Sequence, residues 1–254
     1  MSGVLDRAFD QPLHTEEYAS SPLAGGIMQH GFQCGMIWGA SLAGGAEAYR
    51  RFGSGAEAES GAVTASRRAV ESFRTIKQHI NCIDIIHLDK SSSKMDMMMF
   101  FLIKGGMIGC LRLASKYAPI AFNEIDTTLS EKKFEIPELP ISCSSILARK
   151  LGMSDRHVTM ASGFAGGIGL SGGACGALGA AIWIRAVNDI KGGAQKVEFV
   201  NPGGMEIVDR FLRGSDFKFK CSEIVGRKFE SVSDHADYIR EGGCKEIIEA
   251  LAID

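Results

Sequence analysis

Between Ser66 and Ile86 the apolar residues Ala69, Val70, Phe73, Ile76, Ile80 and Ile83 recur mostly at steps of three and four. That spacing gathers them on one side of an α-helix and predicts a buried stripe. A second stretch with the same rhythm runs from about Gly204 to Phe211. Toward the C-terminal end Ala236, Ile239, Ile247, Ile248 and Leu251 continue it. There Ser233 and Asp234 read as a helix start, and Gly242-Gly243 as a break just before Cys244. Alternating polarity is scarce; Lys196 to Val200 and Phe217 to Phe219 are the only short strand candidates, and either reads equally well as extended loop. The pattern predicts a predominantly all-α fold.

The same elements are written twice. Ala24–Cys34 (AGGIMQHGFQC) returns as Ala165–Cys175 (AGGIGLSGGAC), each running into a Cys-Gly step. Ala69-Val70-Glu71-Ser72-Phe73 is matched by Ile207-Val208-Asp209-Arg210-Phe211, and Asn81-Cys82-Ile83-Asp84 by Lys220-Cys221-Ser222-Glu223. Gly105-Gly106 precedes Cys110 as Gly242-Gly243 precedes Cys244. Such self-similarity predicts a tandem duplication into two helical units with Gly-rich helix starts, residues 1–130 and 131–254. The polar, proline-bearing segment from Asn123 to Pro140 reads as their connector. Three of the seven cysteines therefore recur; the seventh, Cys143, has Ser2 at its matching place in the first unit.

A formal charge of −2 argues against nucleic acid or an anionic membrane as partner, since both need concentrated positive charge. No apolar run approaches the ~18 residues that span a bilayer, and no secretory leader pattern is visible. The expectation is a soluble cytoplasmic protein. Thiols stay reduced in that compartment, so its cysteines read as metal ligands or redox groups rather than structural disulfides.

Glycines and alanines dominate Gly163 to Ala181, leaving too little side-chain volume for an ordinary core helix, so backbones there approach one another or a cofactor closely. Gly167-Ile168-Gly169-Leu170-Ser171-Gly172 formally satisfies G-x-G-x-x-G. That fingerprint needs a preceding buried strand, which Asp155 to Phe164 does not offer, and the first copy breaks it. A small-residue loop carrying Cys175, and likewise Cys34, to a helix start is the better reading.

The series Cys143, a glycine-rich run into Cys175-Gly176-Ala177, Cys221 and Cys244 resembles the C_GCAxxG_C_C family of redox-active proteins, small helical bacterial proteins recognised by four such cysteines. The resemblance covers about Leu139 to Asp254, with a degenerate version in the first half. The family is also similar to the helical part of split-Soret cytochromes c. No C-x-x-C-H occurs, so covalent haem is not expected.

Four thiolates from separate elements are the number that a [2Fe-2S] or [4Fe-4S] cluster requires, with a closed zinc site as the alternative. Cys143, Cys175, Cys221 and Cys244 are thus the candidate ligands, with Cys34, Cys82 and Cys110 a weaker set. On that reading the chain is an electron carrier or sensor with an unidentified electron-transfer partner. Two rivals stand beside it. One is thiol–disulfide exchange, in which Cys175 at a helix start has a lowered pKa and Cys143 or Cys221 resolves it. The other is a helical scaffold whose cysteines pack as small apolar residues.

Met95, Met97, Met98, Met99 and Met107 beside Phe100 and Phe101 read as flexible core or an oligomer contact, such as a homodimer, before they read as metal ligands. His157 and His235 are not repeated and read as surface or capping residues. His30, four residues before Cys34, is a substitute ligand for the copy short of one thiolate. No catalytic triad or paired-carboxylate pattern is recognisable.

Overall fold

The computed structural model describes residues 1–103 and 105–253. Among them no strand forms; two isolated antiparallel bridges, Gln33 with Asn81 and Ala174 with Lys220, are the only sheet-like pairings. The first half holds α1 (Ser2–Ala8), α2 (His14–Ala19), α3 (Gly35–Phe52), α4 (Ala56–Ile76), α5 (Cys82–Ile86), α6 (Lys94–Met98) and α7 (Gly106–Glu131). The second holds α8 (Cys143–Lys150), α9 (Asp155–Ser162), α10 (Gly176–Lys191), α11 (Pro202–Gly214), α12 (Cys221–Val225), α13 (Val232–Arg240) and α14 (Lys245–Leu251). The fold is all-α, and both strand candidates are loop.

Three boundaries differ from the periodicity. The stripe of Ser66 to Ile86 is not one helix: α4 starts earlier, at Ala56, and ends at an extended Lys77, and α5 begins only at Cys82. The intervening backbone is drawn off to accept from Cys34, whose N–H donates to the Ile80 carbonyl at 2.8 Å. The expected connector is shorter, because α7 runs on through Glu131. Its buried residues Tyr117, Ala121, Ile125 and Leu129 fall every fourth position, a stripe that outweighs the polar look of the segment. Ser231, not Ser233, caps α13, its hydroxyl accepting from the Asp234 N–H at 3.1 Å.

The halves interlock. Within each, the first helix packs on the helix after the Gly-rich segment, α1 on α3 and α8 on α10. Between them the second helices are exchanged, α2 lying on α10 and α9 on α3. Residues 141 apart in sequence meet where these elements cross: the Glu16 carboxylate and the His157 ring are 3.0 Å apart. Trp38 and Gly179 are separated by the same interval, and a Cβ at Gly179 would run into the Trp38 ring. Reciprocal helix pairs and self-matching contacts give the two halves an approximate twofold relation. Beside a smaller cluster around Cys221 and Phe229, one large apolar core runs through both halves. Trp38, Trp183, Phe73, Phe164 and Phe211 are fully buried in it, each contributing roughly 1.5–3 kcal/mol through the area removed from water.

One ion pair bears on this packing. The Arg149 guanidinium of α8 reaches the Glu59 carboxylate of α4, which is buried and has one oxygen without a hydrogen-bond partner. Arg149 is partly exposed, so the pair itself contributes little, but removing the arginine strands a buried charge. Arg149→Ala is expected to cost roughly 2–3 kcal/mol in chemical denaturation, and adding Glu59→Gln should recover most of it.

Outside the core, Met95, Met98 and Met107 are exposed together with Ile103, Ile108 and Leu111. The side chains of Met97 and Phe101 lie outside the described residues. No helix among the described residues is long and apolar enough to cross a membrane.

Candidate functional site

The Gly-rich segments explain how the cysteines are placed. Gly166, Gly167, Ile168, Gly169 and Leu170 all have positive φ, as do Gly25, Gly26, Ile27, Met28 and Gln29. Each run is a short left-handed turn, a conformation costing a non-glycine residue roughly 1–2 kcal/mol. Burial of Ile27, Met28, Ile168 and Leu170 offsets that cost. The turns are tied alike: Gly169 N–H donates to Gly163 O, Leu170 to Ala165 and Gly172 to Gly166, while Met28 donates to Pro22, Gln29 to Ala24 and Gly31 to Gly25. Here G-x-G-x-x-G bends backbone onto backbone and follows no strand.

Past each turn the chain runs extended into a cysteine that caps a helix. Cys175 N–H donates to Phe219 O at 2.9 Å and Cys221 N–H to Gly173 O at 2.6 Å. In the first half Cys34 N–H donates to Ile80 O at 2.8 Å and Cys82 N–H to Phe32 O at 2.6 Å. The bridge thus sets two cysteines side by side, one at the start of a long helix and the other opening a short one. Gln33, fully buried, locks the two halves here, its amide donating to Gly167 O at 2.9 Å and accepting from Ala174 N–H at 2.8 Å.

Two more cysteines complete the second-half arrangement. Cys143 opens α8 behind the Ser142 cap, and Cys244 follows Gly242-Gly243 in a left-handed conformation at the start of α14. Cys143, Cys175, Cys221 and Cys244 line one enclosed cavity with Ile224, Val225, Phe229 and His235. Its volume is about 10 Å³, room for roughly one water. Among the described residues no group of three or more His, Cys, Asp or Glu side chains is arranged to hold a metal ion as it stands. All seven cysteines are free thiols.

Burial governs the chemistry of these thiols. It pushes Cys175 up to about 12, and Cys143, Cys221 and Cys244 also lie above the ordinary thiol value. Repulsion from neighbouring thiolates adds to the rise at Cys143, Cys175 and Cys221. The first-turn amides of Ala177 and Leu178 act to lower Cys175, but burial outweighs them. The expected lowered Cys175 is therefore corrected: at neutral pH it is a protonated, weakly nucleophilic thiol, contrary to what exchange chemistry needs. At Cys244 a hydrogen bond from the Tyr238 hydroxyl to the sulfur favours the thiolate, but burial outweighs it there too.

Sequence reasoning passes over Phe229 and Tyr238 and takes His235 for a surface or capping residue. His235 is buried, not capping; its Nδ1 is 3.1 Å from the Ile141 carbonyl and Phe229 meets it edge-on at 4.6 Å. Because the carbonyl only accepts, Nδ1 carries the proton. Burial lowers the ring's pKa to about 4, leaving Nε2 as a lone pair at neutral pH. A usable signal existed: Val232, His235, Ala236 and Ile239 form one helical stripe, and all are buried. The histidine binds its proton more weakly folded than unfolded, so stability should rise with pH between about 4 and 6.5. The gain is up to about 3 kcal/mol, read from urea midpoints across that window and flattened in His235→Asn.

The first half gathers its set in the same way. Burial raises Cys34 to about 11 and Cys82 to about 12, and Cys110 acts on both as a like charge. Cys110 sits one turn before the buried Leu113 and two before the buried Tyr117 on α7 and is itself partly exposed. Ser2 opens α1 where Cys143 opens α8. His30 does not stand in for the missing ligand: its Nδ1 is 2.8 Å from Ile27 O, its Nε2 is 2.9 Å from Lys90 Nζ, and its ring stacks on Phe219. His157 is buried between Ser154 and Glu16 in the interlock, away from both sets.

The family model described as "Putative redox-active protein (C_GCAxxG_C_C)" matches residues 142–253, the segment that carries all four cysteines of the second set. No curated protein and no solved structure matches the chain. Over residues 142–253 the chain is thus similar to the C_GCAxxG_C_C family.

Proposed function

We propose that the protein is a redox protein that binds an iron–sulfur centre through Cys143, Cys175, Cys221 and Cys244 and serves as an electron carrier or sensor. The observation carrying this reading is the lining of one cavity by four thiols from four separate elements. Buried together, four thiolates would repel one another; a bound cationic centre removes that penalty and deprotonates its ligands. The family's redox description favours iron–sulfur over zinc, which has no redox chemistry. When bound, such a centre supplies one-electron exchange at a potential set by hydrogen bonds to its sulfurs and by solvent exposure.

The chain's own residues account for the rest. Ile224, Val225 and Phe229 keep the cavity apolar, and the Tyr238 hydroxyl donates to the Cys244 sulfur. The space between the thiols is far smaller than a cluster, so loading requires the wall to open. Cys244, partly exposed where the other three are buried, is the most open of the four.

The test is anaerobic purification of the full chain with iron and sulfide analysis. A brown protein with sulfur-to-iron charge-transfer absorption is expected. A colourless preparation that stays iron-free after reconstitution with ferrous iron and sulfide would refute the proposal.

A further inference from the structure

We infer that two adjoining clefts, lined by α4, the left-handed turn of residues 166–170 and the loop 226–231, form the docking surface for an acidic electron-transfer protein. The inference rests on the reading of the four-thiol site and adds the face through which that site meets its partner.

Position singles out this face. One cleft, of about 300 Å³, has Val63, Arg67, Lys133, Leu170 and Val232 in its walls; the next, of about 260 Å³, has Arg67, Arg74, Leu170, Lys228 and Phe229. Val63, Leu170, Phe229 and Val232 belong to the smaller apolar cluster that also holds Cys221. Phe229 lines both the second cleft and the thiol cavity, so a single buried ring separates them. The Arg227 guanidinium lies over that ring, 4.9 Å from its centre. A further cavity with three arginines, Arg185, Arg210 and Arg213, shares no residue with the thiol cavity. The frame of the clefts is firm. Arg67 donates from its guanidinium to the Glu230 carbonyl at 3.0 Å, and a Cβ on Gly169 would strike the Arg67 main chain.

Charge sets the partner. The clefts carry five cations, Arg67, Arg68, Arg74, Lys133 and Lys228, against the two carboxylates of Glu71 and Glu135. Both carboxylates are engaged: Glu71 pairs with Arg67 at 3.2 Å and with Arg68 at 3.1 Å, and Glu135 accepts from the Ser233 N–H at 3.0 Å. Arg74 and Lys228 are exposed and enter no ion pair among the described residues. A local formal charge of +3 in a chain of −2 leaves −5 for the remainder, so positive charge is concentrated here. Such a patch steers an opposite one onto it. The clefts lie open and side by side, unlike a concave site that encloses a small molecule. Electron-transfer encounters use small surfaces of this kind, below about 1,200 Å². One electron crosses at the Phe229 wall; the partner gains it as the thiol-held centre loses it, and no bond forms or breaks.

Two measurements on the full chain test this. Iron-free protein is titrated calorimetrically at low ionic strength with a plant-type [2Fe-2S] ferredoxin as the acidic probe. Binding is expected, and Arg74→Glu/Lys228→Glu should weaken it about tenfold. Lys191→Glu/Arg213→Glu, the same change of net charge elsewhere, should leave it intact. After iron loading and reduction, [Co(EDTA)]⁻ and [Co(NH₃)₆]³⁺ each take up one electron. The rate with the anionic complex should fall as salt rises, although a net charge of −2 alone predicts a rise. That fall should disappear in Arg74→Glu/Lys228→Glu. Circular dichroism confirms folding, and Arg74→Gln/Lys228→Gln replaces a variant that loses helicity. The docking surface is overturned by absent ferredoxin binding, by equal weakening in both double variants, or by single-stranded DNA binding more tightly than ferredoxin. An anionic-complex rate that rises with salt overturns electron passage at this face. A chain that takes up no iron brings down the four-thiol reading instead; ferredoxin binding lost only in Arg74→Glu/Lys228→Glu then still supports the docking surface.

Discussion

Gly167→Ala is expected to destabilise the protein by roughly 3 kcal/mol, a large share of a typical folding free energy of ~5–15 kcal/mol. Two costs combine. Gly167 sits at φ +77°, and a Cβ there would lie 2.6 Å from Gly173 O and 2.7 Å from Gly173 N, main-chain atoms that cannot swing aside. Gly152, at φ +66° with nothing within 4 Å of its would-be Cβ, isolates the conformational part; Gly152→Ala should cost only about 1 kcal/mol. Urea midpoints of the two variants separate sterics from backbone preference. Equal losses would show that the turn does not press on the backbone before Cys175. Because Gly173 O also accepts from Cys221 N–H, Gly167→Ala should lower iron retention as well.

Cys175→Ser is expected to abolish the difference in thermal stability between the iron-loaded and iron-free forms. A centre that binds only the folded chain stabilises it by mass action, about 4 kcal/mol at a thousandfold excess over its dissociation constant. Cys175 is buried at the start of α10 and lines the cavity, so a hydroxyl there removes one of four thiolate donors and leaves the core packing almost unchanged. Anaerobic melting before and after iron removal should show a large drop for wild type and none for the variant. A wild type that melts identically in both states would mean that the cysteines contribute packing alone.

Much of this arrangement was legible in the residues. Cys34 and Cys175 do begin helices, and Gly242-Gly243 does interrupt the last one. Helix boundaries were less legible, because periodicity records which side of a segment is buried and not which backbone groups are claimed elsewhere. Ile80 lies on the right stripe, yet its carbonyl is taken by Cys34 and the helix ends before it. Thiol acidity was misjudged for a related reason. A helix start is visible in sequence, but the depth at which it lies is a property of the assembled core, and for Cys175 depth outweighs the start. His235 reads as surface or capping because it has no counterpart in the first half, although the stripe around it points inward.

Where two identical subunits meet on a symmetry axis, a residue at the axis faces its own double, so charge meets like charge and bulk meets bulk. Joining both halves in one chain lifts that rule. Glu16 opposes the His157 ring, and the indole of Trp38 fills the hollow over Gly179. Neither pairing is open to a homodimer of either half, so neither half carries the complement to its own surface.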